Sequence, residues 1–180
     1  KQCLWVTALR DCFKLMERIG FILNAANEIE KKGWCLEAFP HPLFALLFPD
    51  GLFHAAKIYT DWINLQVSCE LEKQDISNLK TFQKVRLGVL IRFKVLMPYK
   101  QIEKALFYYL LKHPKSVSFL YKIVDDLWYF AGDTSLDYNF YTKRLILSGV
   151  YTSCFFEFLK SCRRRSRIFQ FLLNLQFFTA

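Results

Sequence analysis

The chain has 180 residues, 53% of them hydrophobic, which is enough for one domain whose core needs no disulfide or metal staple. Only six Gly and five Pro interrupt it, too few turn formers for a β-sandwich or barrel, so long helices are expected. The net charge of +9 points to an anionic partner, whether membrane surface, nucleic acid or acidic protein.

Residues 11–32 read as one amphipathic helix, with Phe13, Met16, Ile19, Ile22, Leu23, Ala26 and Ile29 on one face and Gly33 stopping the run. Pro40, Pro42 and Pro49 then break the chain, leaving a short apolar turn at Leu43–Leu47. A second helix is expected over 51–72, facing inward with Leu52, Ala55, Ala56, Tyr59, Trp62, Ile63 and Val67. The polar stretch Glu70–Asn78 is a connector. A third long helix, 79–96, turns Phe82, Val85, Val89, Leu90, Phe93 and Leu96 inward and Lys80, Lys84, Arg86, Arg92 and Lys94 elsewhere. Met97-Pro98 ends it, because the residue before proline avoids the α region.

Helices over 100–112 and 115–131 follow, separated by His113-Pro114. In the second of these, Val117, Leu120, Tyr121, Val124, Leu127, Trp128 and Ala131 form a core stripe. Gly132 closes it, and Thr134 with Asp137 has cap spacing for the next helix. That helix, 135–160, is apolar nearly all round between Leu145 and Phe156, so it is expected to be central and wrapped by the others. After Lys160 come Arg163, Arg164, Arg165 and Arg167, then an almost wholly Phe and Leu segment, 168–180. The fold class is all-α, divided into 1–50, 51–162 and 163–180.

The six cysteines show no CxxC and no paired spacing with His, which argues against a zinc site or disulfide framework and for buried thiols in a reducing compartment. The nineteen Phe and nine Tyr fit either biased codon use or a lipid-related role. No apolar run reaches the ~18–20 residues that span a bilayer. Asp125 and Asp126 are adjacent and point to different sides of a helix, so they are surface or cap groups and not a carboxylate pair. With no Ser/His or Cys/His constellation and no Glu-x-x-His, no catalytic residue, metal ligand or cofactor is assigned.

Ala25-x-x-Glu28-Ile29-x-x-Lys32-Gly33 resembles the first helix of the TetR superfamily. Where a repressor of that kind presents basic and polar side chains to DNA, this chain has Pro40–Leu47, with one His and no Lys or Arg. Specific DNA binding is therefore not expected, and the region reads as a degenerate helix-turn-helix kept for packing.

The run Val124-Asp125-Asp126-Leu127-Trp128, Ala131-Gly132-Asp133-Thr134-Ser135, Asp137-x-Asn139-x-Tyr141-Thr142-Lys143-Arg144 and Val150-Tyr151 resembles the ubiquinone-biosynthesis accessory family called coenzyme Q protein nine. Leu96-Met97-Pro98-Tyr99 and Leu47-Phe48-Pro49-x-Gly51 are similar to it as well. The resemblance implies a non-enzymatic, TetR-like homodimer that holds an isoprenoid quinone precursor and presents it to the di-iron demethoxyubiquinone hydroxylase. Carried over, the partner-facing patch falls on Asp137, Asn139, Phe140, Tyr141 and Arg144, with Phe140 standing where relatives often have Trp. Aromatic-plus-Arg clusters are also the usual chemistry of interface hot spots.

By periodicity, the candidate walls of a lipid pocket are Leu90, Phe93, Leu106, Tyr109, Leu110, Phe119, Ile123, Leu127, Leu147 and Tyr151, each of which also reads as plain core. The tail offers Arg163, Arg164, Arg165, Arg167, Ile168, Phe169, Phe171 and Leu172 for docking to an anionic membrane surface, or else for folding back on the core or a dimer mate. The leading expectation is a peripheral lipid-binding protein on the cytoplasmic side of the bacterial inner membrane, since the N-terminal region is compact. The alternative location is the matrix side of the mitochondrial inner membrane, with a targeting segment removed ahead of Lys1. The alternative function is a TetR-like regulator sensing an acyl or isoprenoid ligand, and a third reading is a scaffold that has lost its ligand.

Overall fold

Proline and glycine set most of the helix ends. The computed structural model describes residues 2–40, 42–133 and 138–160, with side chains from residue 12 onward and, in the last segment, from Asn139. The helices are α1 (Gln2–Asn24), α2 (Ala26–Lys32), α3 (Leu43–Leu47), α4 (Gly51–Glu72), α5 (Thr81–Leu96), α6 (Lys100–Leu111), α7 (Ser116–Phe130) and α8 (Tyr138–Lys160), with 3-10 turns at Leu36–Ala38 and Met97–Tyr99. No strand occurs among the described residues. The chain is all-α, as expected, and its helices are consistent with a TetR-like plan. Two compact units divide it: one holds the described residues to Leu65 and Tyr99–Pro114, the other Gln66–Pro98 and the described residues from Lys115.

In the first unit the helix expected over 11–32 is two helices. At Ala25 (φ −81°, ψ 1°) the backbone N–H is shared between the carbonyls of Phe21 and Ile22, both at 3.2 Å, which ends α1. On either side of this break Ile22 and Ile29 are fully buried. The proline-broken stretch after Trp34 supplies an aromatic core. Phe39 and Phe44 stack at 4.8 Å, Trp34 meets Phe39 edge-on at 5.5 Å, and Phe44 lies 5.1 Å from Phe48. The Trp34 indole donates to the Leu52 carbonyl at 3.3 Å, so its polar edge is satisfied at the start of α4. Phe13 and Met16, expected to face inward, are 79% and 59% exposed, and among its described side chains the buried stripe of α1 begins only with Ile19 and Ile22.

In the second unit α7 packs against both α5 and α8. The close approach of α5 to α7 depends on Gly88: a Cβ there would lie 2.7 Å from Leu127 Cδ2 and 3.8 Å from Phe130 Cδ1. Gly88→Leu is expected to destabilise the protein by about 1–3 kcal/mol through overpacking. Gly20→Ala, where nothing lies within 4 Å, should instead gain roughly 1 kcal/mol of helix propensity. Urea unfolding of the two variants checks this, and a neutral Gly88→Leu would contradict the packing.

The core of this unit is aromatic. Phe93 stacks on Tyr151 at 5.6 Å and lies 5.4 Å from Phe158, which Phe155 also meets at 6.0 Å. Several side chains depart from the expected faces. Val117 and Tyr121 are 71% and 44% exposed, so the α7 core stripe narrows to Val124, Leu127 and Ala131. Phe82 is also exposed, at the open start of α5. Arg92, expected on the solvent side of α5, is 5% exposed and donates from Nε to the Tyr151 hydroxyl at 2.9 Å.

The expectation that α8 is wrapped on all sides is also corrected. It buries Leu147, Tyr151, Cys154, Phe155 and Phe158, while Leu145 and Ile146 are 75% and 48% exposed and Phe156 is partly so. Absence of charge along a helix does not by itself mean burial all round. Of the cysteines with described side chains only Cys154 is buried, where burial pushes its thiol up to about 11; Cys12 and Cys69 are exposed, contrary to expectation. The four cysteines whose side chains are described, Cys12, Cys35, Cys69 and Cys154, are free thiols.

Candidate functional site

The corner between α7 and α8 begins with a backbone device. Gly132 takes φ +78°, its N–H bonds the Tyr129 carbonyl at 3.0 Å, and the Asp133 N–H bonds the Trp128 carbonyl at 3.1 Å. This double closure of a helix end needs a left-handed residue, which Gly supplies without a Cβ penalty. Its consequence is chemical, because it turns the Asp133 side chain toward α8.

Asp133 there meets two cations. Its Oδ1 lies 2.8 Å from Lys143 Nζ and its Oδ2 lies 3.5 Å from Arg144 Nη1. Arg144 Nε is 2.7 Å from Asp125 Oδ1, and Nη1 also donates to the Phe140 carbonyl at 3.2 Å. The guanidinium lies over the Phe140 ring, 3.3 Å from its centroid, and Lys143 sits 5.5 Å from the centre of the Trp128 ring. The side chains of Asp133 and Arg144 are 5% and 6% exposed, whereas Asp125 and Lys143 are 42% and 38% exposed. Asp125 therefore serves α8 and Asp126 lies exposed, in line with the reading that they point to different sides.

Among the residues read as partner-facing, Asn139 and Tyr141 are exposed, Tyr141 at 69%, and Phe140 is half-buried, its ring centroid 5.2 Å from that of Tyr141 in a T-shaped pair. Arg144 differs from the surface position expected of it, because the two carboxylates hold it inside. Asp137 lies outside the described residues. Tyr129, which the sequence reading did not select, is 84% exposed at the end of α7.

The lipid-wall candidates fall in both units. Leu106, Tyr109 and Leu110 belong to the first, where burial raises the Tyr109 hydroxyl above its usual range. Leu90, Phe93, Phe119, Ile123, Leu127, Leu147 and Tyr151 belong to the second. There Phe93, Leu127, Leu147 and Tyr151 are buried, and Leu90, Phe119 and Ile123 half-buried. Among these seven the structure joins Phe93 to Tyr151 directly by stacking. Sequence reasoning missed Asp133, Lys143 and Arg92 as structural ions. For Asp133 the signal was the Gly132 helix stop immediately before it.

The membrane candidates Arg163, Arg164, Arg165, Arg167, Ile168, Phe169, Phe171 and Leu172, like the Thr134–Asp137 cap, lie outside the described residues. Among the described residues no helix is long and apolar enough to cross a membrane, and no cluster of His, Cys, Asp or Glu could hold a metal ion.

Fold and corner together define an all-helical protein, consistent with a TetR-like plan, with an ion-pair staple centred on the buried Arg144 between its last two described helices. The COQ9 family model matches residues 113–172, which include that corner. The ubiquinone biosynthesis protein COQ9, mitochondrial, of Bos taurus is 40% identical over 151 residues, covering 73% of this chain and 47% of the relative. The Rattus norvegicus protein of the same name is 43% identical over 77 residues, 41% of this chain and 25% of the relative. The Xenopus laevis ubiquinone biosynthesis protein COQ9-B, mitochondrial, is 32% identical over 151 residues, 73% of this chain and 52% of the relative. The chain belongs to the COQ9 family, and it spans a quarter to about half the length of these relatives.

Proposed function

We propose that this chain is a non-catalytic accessory protein of ubiquinone biosynthesis that holds an isoprenoid quinone precursor and presents it to the di-iron demethoxyubiquinone hydroxylase. Its relatives are named for ubiquinone biosynthesis and for mitochondria, which supports the pathway and favours the matrix side of the mitochondrial inner membrane over the bacterial location. The observation that carries the docking half is the contrast at the α7–α8 corner. Tyr129 and Tyr141 are 84% and 69% exposed at this corner, while the Asp133 and Arg144 charges are turned inward. Exposed tyrosines on a rigid base suit a protein partner, because a large amphipathic side chain is offered at little entropic cost.

The lipid half draws on family membership and on the aromatic core of the second unit. The regulator reading would need basic side chains in place of α3, which is five residues long and has none. Two measurements on the full chain test the proposal. Organic extraction followed by mass spectrometry should release an isoprenoid or quinone lipid. Immobilised chain should retain the hydroxylase, and Tyr141→Ala should weaken that retention by about tenfold or more, as truncating a hot spot does. A lipid-free protein that neither retains the hydroxylase nor takes up added quinone would overturn the reading.

A further inference from the structure

Tyr141 stands 69% exposed at the first turn of α8, its ring in a T-shaped contact with Phe140 at 5.2 Å between centroids. Phe140 in turn lies under the Arg144 guanidinium at 3.3 Å, and its carbonyl accepts from Arg144 Nη1 at 3.2 Å. Arg144 is gripped from α7 by Asp125 at 2.7 Å and from the α7–α8 turn by Asp133 at 3.5 Å. A planar fork is the group able to meet two carboxylates, a carbonyl and a ring face at once, which a lysine ammonium cannot do.

We infer that Arg144 is a positioning residue: clamped by Asp125 and Asp133, it fixes the Phe140 ring, and through it the exposed Tyr141, in the orientation a protein partner reads. The inference deepens the proposed docking surface and rests on it, but it reassigns the arginine from the surface to its support. A 5% exposed residue offers little of itself to a partner. Asp125, Asp133 and Lys143 join it as positioning groups, Lys143 by neutralising Asp133 at 2.8 Å while covering Trp128.

Two readouts on the full chain test this. First, Phe140 is replaced by 4-fluorophenylalanine and the free protein is examined by fluorine NMR. The ring under a cation should give one displaced signal, and Arg144→Gln should move it toward the position found in the unfolded chain. Second, affinity for the hydroxylase should fall about tenfold in Arg144→Gln, but less than about twofold when the same change is made in a Phe140→Ala, Tyr141→Ala background. Positioning predicts that coupling, whereas direct contact predicts equal losses in both backgrounds.

Should Arg144→Gln not fold, Arg144→Lys keeps the charge without the fork and is expected to show the same displaced-signal loss and the same coupling. Equal losses in both backgrounds, or a fluorine signal indifferent to Arg144, would overturn the inference. If the wild-type chain does not retain the hydroxylase, the docking reading falls, and the inference that a partner reads Tyr141 falls with it. The fluorine signal then reports separately whether the clamp on Phe140 exists.

Discussion

Phe158→Ala is expected to cost about 3–5 kcal/mol in chemical unfolding, the largest loss of any single truncation on α8. The side chain is fully buried, and its ring sits 5.4 Å from Phe93 and 6.0 Å from Phe155, while Phe93 stacks on Tyr151 at 5.6 Å. Truncation therefore removes apolar area and also opens a void that stiff aromatic neighbours cannot close by rotamer change. The effect should extend to Arg92, whose Nε bonds the Tyr151 hydroxyl at 2.9 Å, since Tyr151 is held in place by the same rings. The same truncation at Phe82, 45% exposed at the start of α5, should change stability by about 0.5 kcal/mol or less. Equal losses at the two positions in urea titrations would refute the packing of α8 against α5.

The contrast between these two phenylalanines shows where the sequence was readable. Helix ends followed from local chemistry: Met97-Pro98 ended α5, His113-Pro114 separated α6 from α7, and Gly132 stopped α7. Those signals act through backbone sterics within a few residues, so they survive without tertiary information. Faces were less legible. Phe13, Met16, Phe82, Val117 and Tyr121 share the periodicity of core residues but lie exposed, because period alone does not say how wide a stripe a helix buries. Leu145 and Ile146 misled more strongly. A run without charge suggested a central helix, yet α8 keeps a solvent-facing side.

At the corner, the family motif marked a segment whose residues the structure divides between surface and interior. Tyr141 stands at the surface where a contact residue must be. Arg144 has the composition of a hot-spot residue and the burial of a core ion, a distinction set by Asp125, nineteen residues away in sequence. Arg92 and Tyr151 are separated by 59 residues, beyond any helical period. Buried cations of this kind become visible only when the carboxylates and hydroxyls that receive them are placed in space.

Asp133→Ala should cost about 3 kcal/mol, because it strips one of two carboxylates from a cation that water barely reaches. The Asp133 and Arg144 side chains are 5% and 6% exposed, so bulk solvent cannot replace what is lost. Asp125, at 2.7 Å from Arg144 and 42% exposed, remains to limit the damage. Gly132 keeps the α7 end closed through the backbone, so the variant loses the staple and not the turn. Asp133→Asn retains an acceptor of the same shape and should lose less than the alanine variant, the difference isolating charge from shape. Because the pair is buried, the penalty should hardly change when salt is raised to about 1 M, whereas the exposed Glu28–Lys32 pair, at 2.9 Å on α2, should be largely screened. Adding Arg144→Met to Asp133→Ala should cost less than the sum of the two single changes, since a buried cation without its anion is worse than neither. Thermal and urea unfolding of the four proteins measure this, and strict additivity would mean that Asp133 and Arg144 do not act as a pair.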